Sequence, residues 1–276
     1  MNASDALVTA SLERDAQAAA AGAFASEASG ADVSAAEISA ADRVLQVLAV
    51  LACAGRPLSA SELMQSTGLP RSSLYRQLAR LKRFGFVAES GSLYAPGPLG
   101  LQLARGFDDG SHLVHVARPV LVQLAQQTQE SAGLLVAANG QAVCLDMEES
   151  PLSLRCSFAK GRSVPLKVGA SAKCVLAYLP AVQRDVLLAQ AYGADVAARS
   201  MAAAELQALR ERGYITTVSE VDVGVWGCST PVFASGRRAV AALTLMAPYQ
   251  RAQPQEAQLV QATLAAAARI SRSLAE

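Results

Sequence analysis

Residues 59–81, SASELMQSTGLPRSSLYRQLARL, constrain what this chain folds into more than any other stretch. Ser59 is a natural helix N-cap, and Glu62 three residues later completes a capping box. Leu63 gives that helix its apolar contact, and Gly68 ends it, because the residue past a helix usually needs φ > 0. Pro70 stands where a second helix begins, with Leu74, Leu78 and Leu81 recurring at helical spacing. The opposite face carries Arg71, Ser72, Ser73, Tyr75, Arg76 and Arg80. Two short helices joined by a tight turn, the second displaying hydroxyl and guanidinium groups, describe a helix-turn-helix. In that motif the second helix enters the DNA major groove and residues near its N-terminus reach base edges. A plain helical hairpin with a solvated charged face fits the same stretch.

Charge distribution favours the first description. The formal net charge is only +1, but it is uneven. Residues 1–39 carry a net of −5, residues 40–94 a net of +4, and the remainder a net of +2. A small basic module within a near-neutral chain is the electrostatic footprint of a DNA-binding domain.

The flanking residues extend the module. Residues 1–39 are rich in Ala, Ser, Asp and Glu, bury too little to offset their ordering entropy, and read as a disordered Ala-rich tail. Residues 41–54 form a first helix with Val44, Leu45, Leu48, Leu51 and Ala52 as its stripe, stopped by Gly55 and Pro57. After Arg83, alternating apolar residues on either side of Ser90-Gly91-Ser92 predict a hairpin. Three helices and a hairpin make a winged helix-turn-helix over 40–96.

Pro96-Gly97-Pro98 opens a linker, 97–111, with a short helix around Leu99 and Leu103 that residues 106–110 interrupt. A longer helix over 112–130 holds Pro119, where it either kinks or begins. The apolar excess of these two helices suits dimer contacts as well as core. From there to residue 276 the chain reads as an α+β domain. Strands are expected at 133–138, 141–147, 152–158, 214–218, 227–233 and 240–246, with turns at Asn139-Gly140 and Ser235-Gly236. Residues 161–169 read as a loop, and helices are expected at 171–179, 183–191, 201–212 and 254–274.

Other classes of protein fit poorly. The most continuous apolar run, 44–54, is broken by Gln46 and well short of the ~20 residues of a membrane span, and no secretory leader pattern opens the chain. Cys53, Cys144, Cys156, Cys174 and Cys228 are odd in number and scattered through apolar contexts, as reduced thiols of a cytoplasmic protein would be. With no CxxC pair, and only His112 and His115 as histidines, neither a metal site nor a cofactor is expected.

Three blocks, in order, carry a resemblance to a known family. The first is Asp42-Arg43 with Leu45, then Arg56-Pro57-Leu58-Ser59 leading into Gly68-Leu69-Pro70-Arg71-Ser72-Ser73. The second is Val164-Pro165-Leu166 with Ala170-Ser171-Ala172-Lys173 and Leu176-Ala177. The third is Arg212-Gly213-Tyr214, Glu220-Val221-Asp222, Gly224-Val225 and Pro231-Val232. From Asp42 onward the chain resembles the IclR family of bacterial transcriptional regulators. The resemblance implies a GAF-like effector-binding domain over 112–276, a homodimer or homotetramer, and control of promoter DNA binding by a small molecule.

For DNA, Arg71 and Arg76 are the candidates for guanine edges, because a guanidinium grips O6 and N7 together. Ser72, Ser73 and Tyr75 suit bases or phosphates. Arg80, with Lys82, suits a phosphate or a solvated surface, and the resemblance gives Arg43 a backbone contact. For the effector, the small residues Gly169-Ala170-Ser171-Ala172 let a ligand approach the backbone, and the helix they open offers N–H groups at its positive end to a carboxylate. Ser171 is either a ligand hydroxyl or that helix's N-cap. The family's pocket positions fall on Ala170, Ser171, Thr217, Val225, Gly227, Thr244 and Met246. Members that bind small keto acids have an acid at the position of Thr217, a cysteine at Gly227 and a serine at Met246. The changes here imply a pocket for a larger, more apolar organic acid, such as an aromatic catabolite. Trp226 fits a pocket rim, a subunit contact or plain core.

Two other functions compete. A ligand-independent DNA-binding protein is one. An enzyme with Ser171, Lys173 or Cys228 as nucleophile is the other, but Ser171-Ala172-Lys173 is too compact for a Ser-x-x-Lys arrangement and no histidine follows His115 to act as base. Cys174 and Cys228 have no flanking group that lowers a thiol pKa, which favours buried structural cysteines over redox sensors.

Overall fold

A computed structural model of the protein describes residues 39–235 and 238–276. The expected tail, Ser39 excepted, and Gly236 of the expected Ser235-Gly236 turn lie outside them. Ser39 itself belongs to the first helix: its Oγ accepts the Asp42 N–H at 3.1 Å, and Asp42 returns the bond to the Ser39 N–H at 3.2 Å. The chain divides after Gly110 into two compact units.

The first unit runs α1 (Ala40–Ala54), β1 (Leu58–Ser59), α2 (Ala60–Thr67), α3 (Arg71–Arg83), β2 (Val87–Ser90), β3 (Leu93–Pro96) and α4 (Pro98–Gly110). The predicted capping box closes at 2.7 Å between the Glu62 carboxylate and the Ser59 N–H, and Gly68 ends α2 at φ 68°. Leu63, Leu74, Leu78 and Leu81 lock α2 and α3 over Val47 and Leu51. The inward stripe of α1 is rotated from the expected one. Val47, Val50 and Leu51 face the core beside Gln46, whose Nε2 donates to the Thr67 carbonyl at 3.0 Å, whereas Leu45 is 61% exposed and Ala52 is also outward. The hairpin forms as expected, and β1 adds a third antiparallel strand in the order β1-β3-β2. Gly106 does not interrupt α4, which runs unbroken and buries none of its side chains.

The second unit is α+β. It comprises α5 (His112–Thr128), β4 (Ser131–Ala138), β5 (Gln141–Glu148), β6 (Ser163–Pro165), α6 (Ala170–Ala177), α7 (Ala181–Tyr192), α8 (Val196–Arg212), β7 (Ile215–Val218), β8 (Val225–Phe233), β9 (Ala239–Pro248), α9 (Tyr249–Ala252) and α10 (Glu256–Ser273). Six antiparallel strands lie in the order β6-β5-β4-β9-β8-β7. On one face α5 and α10 bury Leu121, Leu124, Trp226, Leu243, Leu245 and Ile270. On the other, α6 and the helices behind it bury Leu135, Leu176, Leu209 and Ile215. Asn139 and Gly140 both have positive φ, 50° and 66°, as a two-residue primed turn requires. Helix α5 passes through Pro119 and starts at the Ser111 cap.

One expected strand is absent. Residues 152–158 form no ladder, and the sheet's edge is β6, within the expected loop 161–169. Side chains bind that segment's carbonyls instead: Ser131 Oγ donates to Cys156 O at 2.5 Å and Arg251 Nη1 to Leu154 O at 2.8 Å.

Candidate functional sites

The outward face of α3 presents Arg71, Ser72, Tyr75, Arg76 and Arg80. The Arg71 guanidinium lies 5.6 Å from the Tyr75 ring centroid, a cation–π contact that orders both at the start of the helix. Arg80 donates to Gln77 at 3.3 Å. Ser73 does not belong to this face: it is buried beside Leu74 and Gln77, because the helical phase that points Leu74 inward carries its neighbour with it. Arg43 is half-buried on the second turn of α1. Two other cations are engaged locally. Lys82 pairs with Glu89, whose other oxygen takes the Tyr94 hydroxyl at 2.9 Å, and Arg56 pairs with Glu62 at 2.8 Å.

In the second unit a cavity of about 500 Å³ opens between the sheet, the start of α6 and the loops 149–158 and 219–224. All seven expected effector positions line it: Ala170, Ser171, Thr217, Val225, Gly227, Thr244 and Met246. Strand pairing explains the convergence. Gly227 stands opposite Thr217 on one side and Met246 on the other, so three positions far apart in sequence form one row across β7, β8 and β9. Thr244 sits in the next row, where its hydroxyl shares a 2.7 Å bond with Ser229. Gly227 keeps this wall low: a Cβ there would meet Ala170 Cβ at 3.6 Å, Thr217 Oγ1 at 3.8 Å and the Leu245 carbonyl oxygen at 4.0 Å, all ordinary contact distances.

The N-terminus of α6 differs from expectation. Gly169, at φ 85°, is its N-cap, so Ser171 is a first-turn residue lining the cavity and not the cap. Two of the donors expected to face a ligand carboxylate are already satisfied. Thr217 Oγ1 accepts the Ala170 N–H at 3.1 Å, and Glu220 accepts the Gly169 N–H at 2.9 Å. The other Glu220 oxygen takes Lys173 Nζ at 2.7 Å, and Glu205 takes the same ammonium at 2.9 Å. Desolvation alone would lower the Lys173 pKa, but these hydrogen bonds outweigh it and raise it, so the amine is held protonated. Val221 packs on Gly169 so closely that a Cβ there would lie 2.7 Å from its methyl.

Sequence reasoning missed the loop lining. Leu154, Arg155, Cys156, Ser157 and Phe158 all border the cavity, from the stretch expected to be a strand. A Pro151 that opens the stretch and three adjacent polar residues at 148–150 were the signals for a loop.

The three nucleophile candidates do not converge. Ser171 lines the cavity and Lys173 is locked between carboxylates. Cys228 lies on the opposite face of β8 among the α10 contacts, where burial pushes its thiol up to about 12. Cys174 is likewise buried and its pKa raised by desolvation. Trp226 is core: fully buried on that same far face, it donates to Glu256 at 3.2 Å. Among the described residues no group of three or more His, Cys, Asp or Glu is placed to hold a metal, and no helix is long and apolar enough to cross a membrane.

A winged helix-turn-helix followed in the same chain by an α+β unit with a lined cavity is the build of a DNA-binding regulator. Residues 40–91 match the model of the IclR helix-turn-helix domain, and residues 109–272 match that of the bacterial transcriptional regulator IclR C-terminal domain. The chain belongs to the IclR family of bacterial transcriptional regulators. It is 29% identical over 216 residues to the probable transcriptional regulator SauR of Cupriavidus necator, covering 76% of this chain and 86% of that one. To the transcriptional repressor IclR of Escherichia coli it is 26% identical over 218 residues, covering 76% and 80%. A crystal structure of a putative IclR regulator from a Silicibacter species shares the fold at a TM-score of 0.74, with 22% identity, 86% of this chain covered and 96% of that one. The C-terminal domain of a putative regulator from Vibrio cholerae is 34% identical, covers 59% of this chain and 99% of its own, and has a TM-score of 0.54.

Proposed function

We propose that this regulator binds double-stranded promoter DNA through α3, under the control of a small organic acid held in the cavity of its C-terminal unit. The acid is larger and more apolar than a keto acid, and an aromatic catabolite is the class favoured. One observation carries this reading: Thr217, Gly227 and Met246 form a single uncharged row on the wall of a cavity of about 500 Å³. That volume is in the range of drug-sized ligand sites. Leu135, Phe158, Val164 and Val225 add apolar lining. The effector contacts are assigned to Ala170, Ser171, Thr217, Val225, Gly227, Thr244 and Met246.

On the DNA side, Arg71 and Arg76 read base edges, Ser72 and Tyr75 support them, and Arg43 and Arg80 meet phosphates. The protein acts in the cytoplasm as a homodimer or homotetramer. Support for self-association comes from α4, which buries no side chain within its unit and leaves Leu101 76% and Phe107 46% exposed.

Calorimetry with benzoate, phenylacetate and cinnamate against glyoxylate and pyruvate tests the ligand class, and gel shifts with the same acids test control of DNA binding. Tighter binding of glyoxylate or pyruvate than of every aromatic acid would overturn the assignment.

A further inference from the structure

We infer that Arg155, at the mouth of the cavity, receives the carboxylate of the effector, so that the acid enters apolar end first and its charged end stays at the 149–158 loop. The inference rests on the effector-binding reading of the cavity and names the group that would fix the ligand's direction in it.

Three observations lead there. First, two donors of the obvious alternative anchor are already taken. The Gly169 and Ala170 amides at the start of α6 are bound by Glu220 and Thr217, so an incoming carboxylate would compete with partners already in place. Second, the charges near that end oppose an anion. Glu220 and Asp222 both border the cavity, and the Lys173 ammonium beside Glu220 is shared with Glu205 as well, which leaves that cluster net negative. Third, Arg155 is the one cationic side chain among the described residues that line the cavity. It meets Glu149 through Nε at 2.7 Å and is about half-exposed, at 44%. A guanidinium carries five N–H donors in a planar fork, so one bond through Nε still leaves an edge suited to a bidentate carboxylate.

The loop is held for such a task. Glu149 also accepts the Ser157 hydroxyl, which ties the two ends of the segment together around Arg155. Arg251 clamps the Leu154 carbonyl at 2.8 Å while its Nε and Nη2 both grip the buried Glu130 at 2.7 Å. The residue before Arg155 is thereby fixed to α9 and the start of β4, and the guanidinium projects from an anchored backbone. Phe158, Leu135 and Met246, which line the same cavity, offer an aromatic or aliphatic body an apolar surface.

The test uses the full chain and matched pairs of acid and primary amide: benzoate with benzamide, phenylacetate with phenylacetamide, cinnamate with cinnamamide. Calorimetry is run on the wild-type chain and on Arg155→Gln, Arg155→Lys and Glu149→Gln, with thermal midpoints recorded for each. Arg155→Gln is expected to weaken the acids about ten- to a hundredfold, the range of a charge-assisted hydrogen bond, and to leave the amides within twofold. Arg155→Lys should restore part of the loss. Glu149→Gln should tighten the acids, because it removes the carboxylate that competes for the guanidinium. Unchanged acid affinity in Arg155→Gln, or equal losses for acid and amide at an unchanged midpoint, would overturn the assignment while leaving the cavity reading intact. Failure of all three acids to bind the wild-type chain would overturn the aromatic-acid reading and this one with it.

Discussion

The Thr217 hydroxyl accepts the Ala170 N–H at 3.1 Å, so strand β7 caps the first turn of α6 across the wall of the cavity. A residue singled out as a ligand contact is therefore also part of the frame that shapes the site. Thr217→Val keeps the side chain's shape and removes the acceptor, leaving a buried N–H unpaired at about 1–3 kcal/mol. A lowered thermal midpoint and faster amide exchange at Ala170 are expected, with both restored by Thr217→Ser.

Arg71 and Arg80 lie at opposite ends of α3, nine residues apart on its outward side. In DNA titrations over a salt series, Arg71→Ala is expected to weaken binding and relax base preference at one position, at about 1–3 kcal/mol. Arg80→Ala should flatten the salt dependence by roughly one unit of slope and leave the sequence profile unchanged. Identical profiles for the two variants would contradict this division.

Gly227 does not have a left-handed φ, and a Cβ there would meet its neighbours at ordinary contact distances of 3.6 to 4.0 Å. Gly227→Leu is therefore tolerated by the backbone, and its side chain occupies the cavity. The expected result is a loss of aromatic-acid binding of tenfold or more in calorimetry, with unfolding by urea near the wild-type midpoint.

Glu62 accepts the Ser59 N–H and pairs with Arg56, and these contacts, the backbone bond first, hold its carboxyl down at about 2 against an ordinary 4.5. A folded-state pKa below the unfolded one stabilises the protein above the unfolded value, and that contribution is lost as pH falls from 4.5 toward 2. Wild type should thus lose stability over this window more steeply than Glu62→Gln, measured by urea midpoints in the DNA-binding unit. Ser59→Ala, which removes the reciprocal cap, should cost about 1 kcal/mol at neutral pH.

The exposed apolar residues of α4 make a prediction about assembly. Leu101→Glu with Phe107→Glu should shift the chain toward monomer in light scattering and weaken operator binding together, with the fold retained because neither side chain is buried. Wild-type oligomer mass in the double variant would remove α4 from the interface.

Local signals were legible where one residue dictates one geometry. The Ser59–Glu62 box, Gly68 and the Asn139-Gly140 turn each depend on a cap or a positive φ that few residues supply, and all three formed as read. The effector positions converge on one cavity, although that expectation came from family motifs and the convergence itself depends on strand register. What escaped was set by distant partners. Residues 152–158 alternate like a strand, yet Ser131 and Arg251 satisfy their carbonyls in place of a neighbouring ladder. Likewise the inward phase of α1 follows from where Thr67 places its carbonyl for Gln46, and the spent donors at α6 follow from Thr217 and Glu220, 47 and 51 residues beyond the groups they bind.

Strand β8 turns Val225 and Gly227 to the cavity and Trp226 and Cys228 to the helices behind it. Alternate letters of one short word thus answer to different demands. On the proposed reading, drift at the first set alters which molecule is recognised, while drift at the second alters whether the domain holds together. On that reading, the chemistry facing the cavity can change at Val225 and Gly227 while the packing of Trp226 and Cys228 in the opposite layer stays as it is.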